Sequence, residues 1–187
     1  RIKNMRHGRG FTIIELMLAI VVLGFLAALA VPSFNQMITR NNLAAASNDL
    51  VVALLTARSE AVKRECRVSV SNNGAAADEW ELGWSANVID TSTSGIPGCA
   101  AQEIVRHEVS SNNLDIVASG NIGTAVTYDP EGRAIGLAGT NADFFTLTLE
   151  TLDGQAMTKV VCLTLFGRPY VPDTPPYPYI QSGADCS

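Results

Sequence analysis

Histidine is nearly missing: the 187 residues hold only His7 and His107. With so few imidazoles, most of the chain lacks the commonest general base and metal ligand. Ser59-Glu60 therefore has no histidine partner on its predicted helix. The four cysteines include no C-x-x-C pair, which argues against a zinc site. No D-x-D-x-D-G run is present, so Asp78, Glu79 and Glu81 around Trp80 do not make a calcium loop. The segment Gly120–Gly123 has no lysine and no helix signal after it, which excludes a phosphate cradle. No catalytic site, cofactor or metal is expected. Acid is absent from the first ten residues, which carry Arg1, Lys3, Arg6 and Arg9. There is no internal repeat and no sign of a second soluble domain.

Between Phe11 and Val31 the only ionisable side chain is Glu15, and Thr12 is the only other polar one. Such a run reaches roughly 30 Å as a helix, the thickness of a bilayer's hydrocarbon core. The basic residues before it hold that end on the cytoplasmic side. An acid inside an apolar run marks function by default, against the plainer reading of a Glu near enough the helix end to reach the headgroups. Ala27-Ala28-Leu29-Ala30 imitates a secretory cleavage site, but the helix pattern continues well beyond it.

The order of Gly10, Phe11, Thr12, Glu15 and Leu16 after a short basic leader resembles the type IV prepilin signature. Pro32 falls where members of that family commonly carry a helix-kinking proline. The resemblance implies cleavage between Gly10 and Phe11 by a prepilin peptidase and methylation of the new amino terminus on Phe11. It also implies that Glu15 pairs with the amino terminus of a neighbouring subunit during assembly. Opposite charges attract far more strongly in a low-dielectric core than in water, so that pairing is physically sound.

Residues 1–10 are thus expected as leader and 11–64 as one long helix, with 11–31 in the membrane or filament core. Residues 65–187 are expected as a β-rich head. The head region falls within the usual size of one domain. The formal charge is −5; without the leader's four basic residues, nine remain against eighteen acids, or −9. A domain this acidic is a poor non-specific ligand for nucleic acid.

Past Pro32, which predicts a kink rather than a stop, Leu43, Ala46, Leu50, Leu54, Ala57 and Ala61 recur at spacings of three and four. They form the apolar face of a helix reaching Arg64. Period-two alternation follows in Arg67–Ser71, ending at Asn72-Asn73-Gly74. Trp80–Ala86, Glu103–Val109, Asp115–Val117, Ala125–Tyr128, Phe144–Leu149 and Val160–Leu165 are further predicted strands, the last two as a hairpin around Thr151–Gly154. Thr91–Gly98 reads as a loop and Asp129-Pro130-Glu131-Gly132 as a type I turn. His107 and Glu108 are predicted on opposite strand faces, leaving a surface histidine. Arg58, Lys63, Arg64 and Arg67 read as a solvated or intersubunit face. The tail, with five prolines between Pro169 and Pro178 and Tyr170, Tyr177 and Tyr179 among them, is expected to be extended or looped.

An even cysteine count in an exported domain suggests two disulfides, of which three pairings exist. Cys162 ends a strand and Cys186 ends the tail, while Cys66 and Cys99 lie just before predicted strands. The expected pairs are therefore Cys162–Cys186 and Cys66–Cys99, against alternatives linking Cys66 to either of the others.

Ala57–Arg64 closing the helix, then Trp80…Gly83-Trp84, Asp129–Arg133 and Gly167-Arg168, resemble in order and spacing the GspH/FimT group of minor pilins and pseudopilins, FimU-like or FimT-like. The fold expected is α+β: a long N-terminal helix, its first half membrane-spanning, packed on an antiparallel β-sheet head, type IV pilin-like. The function implied is a minor pilin at or near a pilus tip that primes assembly. A type II secretion pseudopilin H is the alternative. Implied partners are other minor pilins, the major pilin, the prepilin peptidase and, before assembly, the inner membrane. The N-terminus would be cytoplasmic and the head periplasmic, then part of an extracellular pilus. A third reading is DNA binding, through a Gly-Arg-x-Arg motif found in some FimT-like pilins. Gly167-Arg168-Pro169-Tyr170 keeps only Arg168 of its arginines, and the net charge disfavours it.

Overall fold

The computed structural model describes residues 11–74, 76, 79–89, 99–109, 114–119, 122–135, 143–150, 156–164, 166–172 and 186, with backbone alone at 28–33, 143, 144 and 150. The turn expected at Thr151–Gly154, the loop at Thr91–Gly98, most of the proline tail and the leader with Gly10 lie outside these residues. Two compact units meet after Ile38.

Helix α1 runs from Ile13 to Arg64 and passes Pro32 without interruption. In the first unit Thr12 caps it: its Oγ1 accepts the Glu15 N–H at 3.3 Å, satisfying one of the orphan donors of the first turn. In the second unit the three-and-four spacing becomes a buried face, with Leu43, Leu50, Leu54, Ala57 and Ala61 fully buried. Ser47 sits on that face too and donates its hydroxyl to Leu43 O at 2.6 Å, so its polarity is satisfied within the helix.

The face packs on antiparallel strands. Strands β1 (Val68–Asn72), β2 (Trp84–Val88), β3 (Gln102–His107), β5 (Ala125–Tyr128) and β6 (Ala134–Ile135) form one sheet in the order β3-β2-β1-β5-β6. Strands β4 (Leu114–Ala118), β7 (Asp143–Glu150), β8 (Ala156–Leu163) and β9 (Pro169–Tyr170) form the second, ordered β4-β7-β8-β9. The expected hairpin is β7–β8, with Glu150 opposite Ala156. One core joins α1 to both sheets through Val70, Trp84, Val126, Tyr128, Phe145 and Leu147. The expected α+β fold is the one observed.

One element differs from expectation. Trp80–Ala86 is not one strand: Trp80–Leu82 forms a 3₁₀ turn and β2 starts only at Trp84. Gly83 separates them at φ +103°, and a Cβ there would lie 2.2 Å from His107 O. Trp80 and Trp84 stay fully buried all the same, and the Trp80 indole donates to Gly123 O at 2.9 Å. Two apolar anchors four apart fit a strand or a turn, so alternation misread the stretch. The described start of the tail is extended as expected, Pro169–Tyr170 pairing with Leu163 and Cys162 of β8. That place is an edge, where the missing N–H costs no ladder bond.

Disulfides join Cys66 to Cys99 and Cys162 to Cys186, with Cα separations of 5.7 and 5.5 Å. The second holds Cys186 over the outer face of β8, where Val160, Cys162 and Cys186 make a small second core beside Tyr170. Tyr170 donates its hydroxyl to Cys186 O at 3.1 Å.

Candidate assembly interface

In the first unit every large apolar side chain from Phe11 to Leu26 is at least half exposed, between 50% at Val22 and 81% at Phe11. A helix apolar all round requires an apolar surrounding, either lipid or other helices. Among the described residues no helix is long and apolar enough to cross a membrane. Side chains there are described from Ile13 to Ala27, about 22 Å of helix, whereas the apolar sequence continues to Val31. Glu15 is exposed in the first turn, where a carboxylate favours the helix dipole.

The other end of α1 is tied to the head. Arg58 Nε donates to Gly132 O at 2.7 Å, joining the helix to the turn between β5 and β6. That turn is the one expected: Gly132 N–H reaches Asp129 O at 2.9 Å, and Asp129 Oδ1 accepts the N–H groups of Glu131 and Arg133. Burial pushes the Asp129 carboxyl up, but the backbone and side-chain bonds from Arg133 outweigh it and hold the group below its ordinary value. Arg64 Nε meets Glu60 at 2.6 Å and its Nη1 meets Gln102 Oε1 at 2.8 Å; Lys63 also pairs with Glu60. The Arg64 hydrogen bond foremost keeps the Glu60 carboxyl below its usual range. Arg58 and Arg64 thus tie the helix to the head, Lys63 pairs with Glu60 within the helix, and Arg67 is exposed with no ion pair among the described residues.

Gly167-Arg168 also has a packing explanation. Gly167 lies at φ +71°, its N–H bonds Thr164 O at 2.7 Å and its carbonyl accepts the buried Tyr128 hydroxyl at 2.8 Å. Burial raises the Tyr128 hydroxyl well above its ordinary value, with the Arg58 charge acting the other way, so the phenol stays protonated and donates. Arg168 is exposed, and its backbone N–H reaches Thr164 Oγ1 at 3.0 Å. Elsewhere Arg106 is paired with Glu103, and Arg133 with Asp129 and Glu131.

His107, expected as a surface histidine, is half-buried. Its ring stacks on Trp84 at 4.5 Å between centroids and 19° between planes, and Nε2 lies 3.9 Å from Asp49 Oδ2. Strand register brings them together, because Trp84 and His107 are direct cross-strand partners. Only knowledge of that register would have exposed the pair in the sequence.

A family model described as type II transport protein GspH matches residues 46–167, from the C-terminal part of α1 through β8. The chain belongs to the GspH family. A second model, the prokaryotic N-terminal methylation motif, matches residues 5–31 of this GspH family member. The chain is 27% identical to the type IV major fimbrial protein FimA of Dichelobacter nodosus over 140 residues, 72% of this chain and 73% of that one. It is 31% identical to a fimbrial protein of Pseudomonas aeruginosa over 115 residues, 62% of this chain and 70% of the relative. The crystal structure of the type IV minor pilin FimU from Pseudomonas aeruginosa superposes with a TM-score of 0.53 at 22% identity, covering 71% of this chain and 89% of FimU. This GspH family chain therefore has the fold of a type IV pilin or pseudopilin.

Proposed function

We propose that the chain is a minor pilin, incorporated at or near the tip of a type IV pilus, that helps to prime assembly. The carrying observation is the stretch from Phe11 to Leu26, whose side chains are exposed on every side of the helix and, apart from Thr12 and Glu15, apolar. In this reading a prepilin peptidase cuts between Gly10 and Phe11, Phe11 is N-methylated, and the helix waits in the inner membrane with the head in the periplasm. Assembly exchanges lipid for the helices of other pilins, and Glu15 pairs with a neighbour's amino terminus, a contact strengthened by the low dielectric. The chain performs no chemistry afterwards. The likeness to FimU and to fimbrial proteins supports the pilus.

Membership of the type II transport protein GspH family favours a second reading, a type II secretion pseudopilin. Complementation separates the two: this chain is expected to restore piliation to cells lacking their minor pilins and to leave secretion-deficient cells unchanged. Intact mass should give a mature chain beginning at methylated Phe11, and Gly10→Val should leave an uncut precursor. Glu15→Val should be cut normally yet be depleted from sheared pili. A mature terminus at another bond, or wild-type incorporation of Glu15→Val, would refute the corresponding role. DNA uptake through Arg168 is the weaker reading, and a gel shift indifferent to Arg168→Ala removes it.

A further inference from the structure

The corner that follows β1 holds the chain's one Asn–Gly bond, Asn73-Gly74. In an open chain this is the most labile setting for an asparagine, because glycine has no side chain to shield its backbone nitrogen. That nitrogen attacks the asparagine Cγ, the side-chain nitrogen leaves as ammonia, and water then opens the cyclic imide to aspartate or isoaspartate. Water is the one co-reactant and ammonia the one product released.

Three features of the folded corner oppose this step. The Asn73 backbone N–H donates to Gly83 O at 2.9 Å, and its side-chain Nδ2 donates to His107 O at 3.1 Å. The nitrogen that would leave is thus the one the end of β3 holds. During the attack negative charge develops on Asn73 Oδ1, which is buried and has no donor among the described residues. The third feature is Glu79. A Cβ on Gly74 would lie 2.3 Å from Glu79 Oε2, so the carboxylate rests against Gly74, where it also accepts the Ala76 N–H at 2.8 Å. Attack requires the Gly74 nitrogen to lose its proton, and an adjacent carboxylate disfavours the anion that results.

We propose that Asn73 is a latent modification site: the folded corner suppresses its deamidation, and once the corner opens and the reaction occurs, the product prevents the corner from closing again. In the aspartate product an oxygen replaces Nδ2 opposite His107 O, so two acceptors face each other with no proton between them. In the isoaspartate product the main chain runs through the former side chain and gains one atom. The corner has no slack for it, since Asn72 N–H is bonded to Thr124 O at 3.1 Å and Asn72 Nδ2 to Ala76 O. The damage reaches β3 as well, because the carbonyl set loose belongs to His107, whose ring stacks on Trp84. Asn72 itself is a poorer site, being 8% exposed and followed by a residue with a side chain.

The test incubates the full chain in detergent at mildly alkaline pH, with and without enough urea to unfold the head, and follows Asn73 by peptide mapping and mass spectrometry. We expect conversion at Asn73 to lead all other asparagines in urea and to be at least tenfold slower in the folded chain, where it waits on opening of the corner. Glu79→Gln, which keeps an acceptor for Ala76, should speed conversion several-fold in the folded chain and leave the rate in urea unchanged. Asn73→Asp, the product made directly, should melt several degrees below wild type and also below Asn73→Ala, which loses the bond without opposing the carbonyl. Equal rates in the folded and unfolded chains would overturn the suppression, and a folded rate indifferent to Glu79→Gln would overturn the part given to the carboxylate. Melting of Asn73→Asp at or above that of Asn73→Ala would overturn the one-way consequence.

Discussion

Gly167→Ala tests whether the Gly-Arg pair is a packing device or a binding motif. The added Cβ would stand 2.5 Å from Ala134 Cβ, 2.8 Å from Ala134 N and 2.8 Å from Tyr128 Cε1. Two of the three neighbours belong to β6, and the third is a fully buried ring whose hydroxyl is held by Gly167 O, so none yields easily. Left-handed backbone at a non-glycine residue costs about 1–2 kcal/mol. Overpacking adds about 1–3 kcal/mol, and a strained Tyr128 hydrogen bond adds roughly 1 kcal/mol more. A loss of about 3–6 kcal/mol should lower the melting temperature of the chain by roughly 6–24 °C. Ala134→Gly in the same chain removes only the Cβ–Cβ clash, so the double substitution should recover part of the loss and leave the backbone term. Arg168→Ala should leave melting unchanged. Thermal unfolding followed by circular dichroism in detergent measures all four proteins. Melting of Gly167→Ala within about 2 °C of wild type, below the about 3 kcal/mol floor of the estimate, would refute the reasoning.

Arg58→Met should keep the stem's packing and lose the bond to Gly132 O, costing about 1–3 kcal/mol by chemical denaturation. Serine substitution of both cysteines in either disulfide should destabilise the head, by roughly 3–4 kcal/mol for closed loops of this size, read as a lower denaturation midpoint. Glu60, Glu103 and Asp129 have carboxyls held below their ordinary values, so the stability they lend is complete above the unfolded-state range near pH 4–5 and is lost as pH falls through the lower folded values. Melting measured from pH 6 to pH 2 should fall, and Glu60→Gln should flatten part of that fall.

Local chemistry by itself determined the helical half of this protein. The apolar run after a basic leader, and the recurrence of Leu43, Leu50, Leu54, Ala57 and Ala61, are periodic within a few turns, and helix bonds are local, so both are legible without a fold. The Asp129–Gly132 turn was legible for the same reason, its hydrogen bonds spanning at most four residues. Seven of the nine described strands were legible as strands, β6 and β9 being two residues each, yet apart from the β7–β8 hairpin their partners were not. That β1 lies between β2 and β5, and that β4 leaves its neighbours to join β7 in another sheet, follows from which faces can be buried together over long sequence separations. Trp80–Ala86 was misread because a strand and a 3₁₀ turn place two tryptophans four residues apart equally well, and Gly83 decides between them only through its contact with His107. The same distance in sequence hid one side-chain cluster: Asp49, Trp84 and His107 come from a helix and two strands, and only the register of β2 on β3 and the packing of α1 beside them bring the three together.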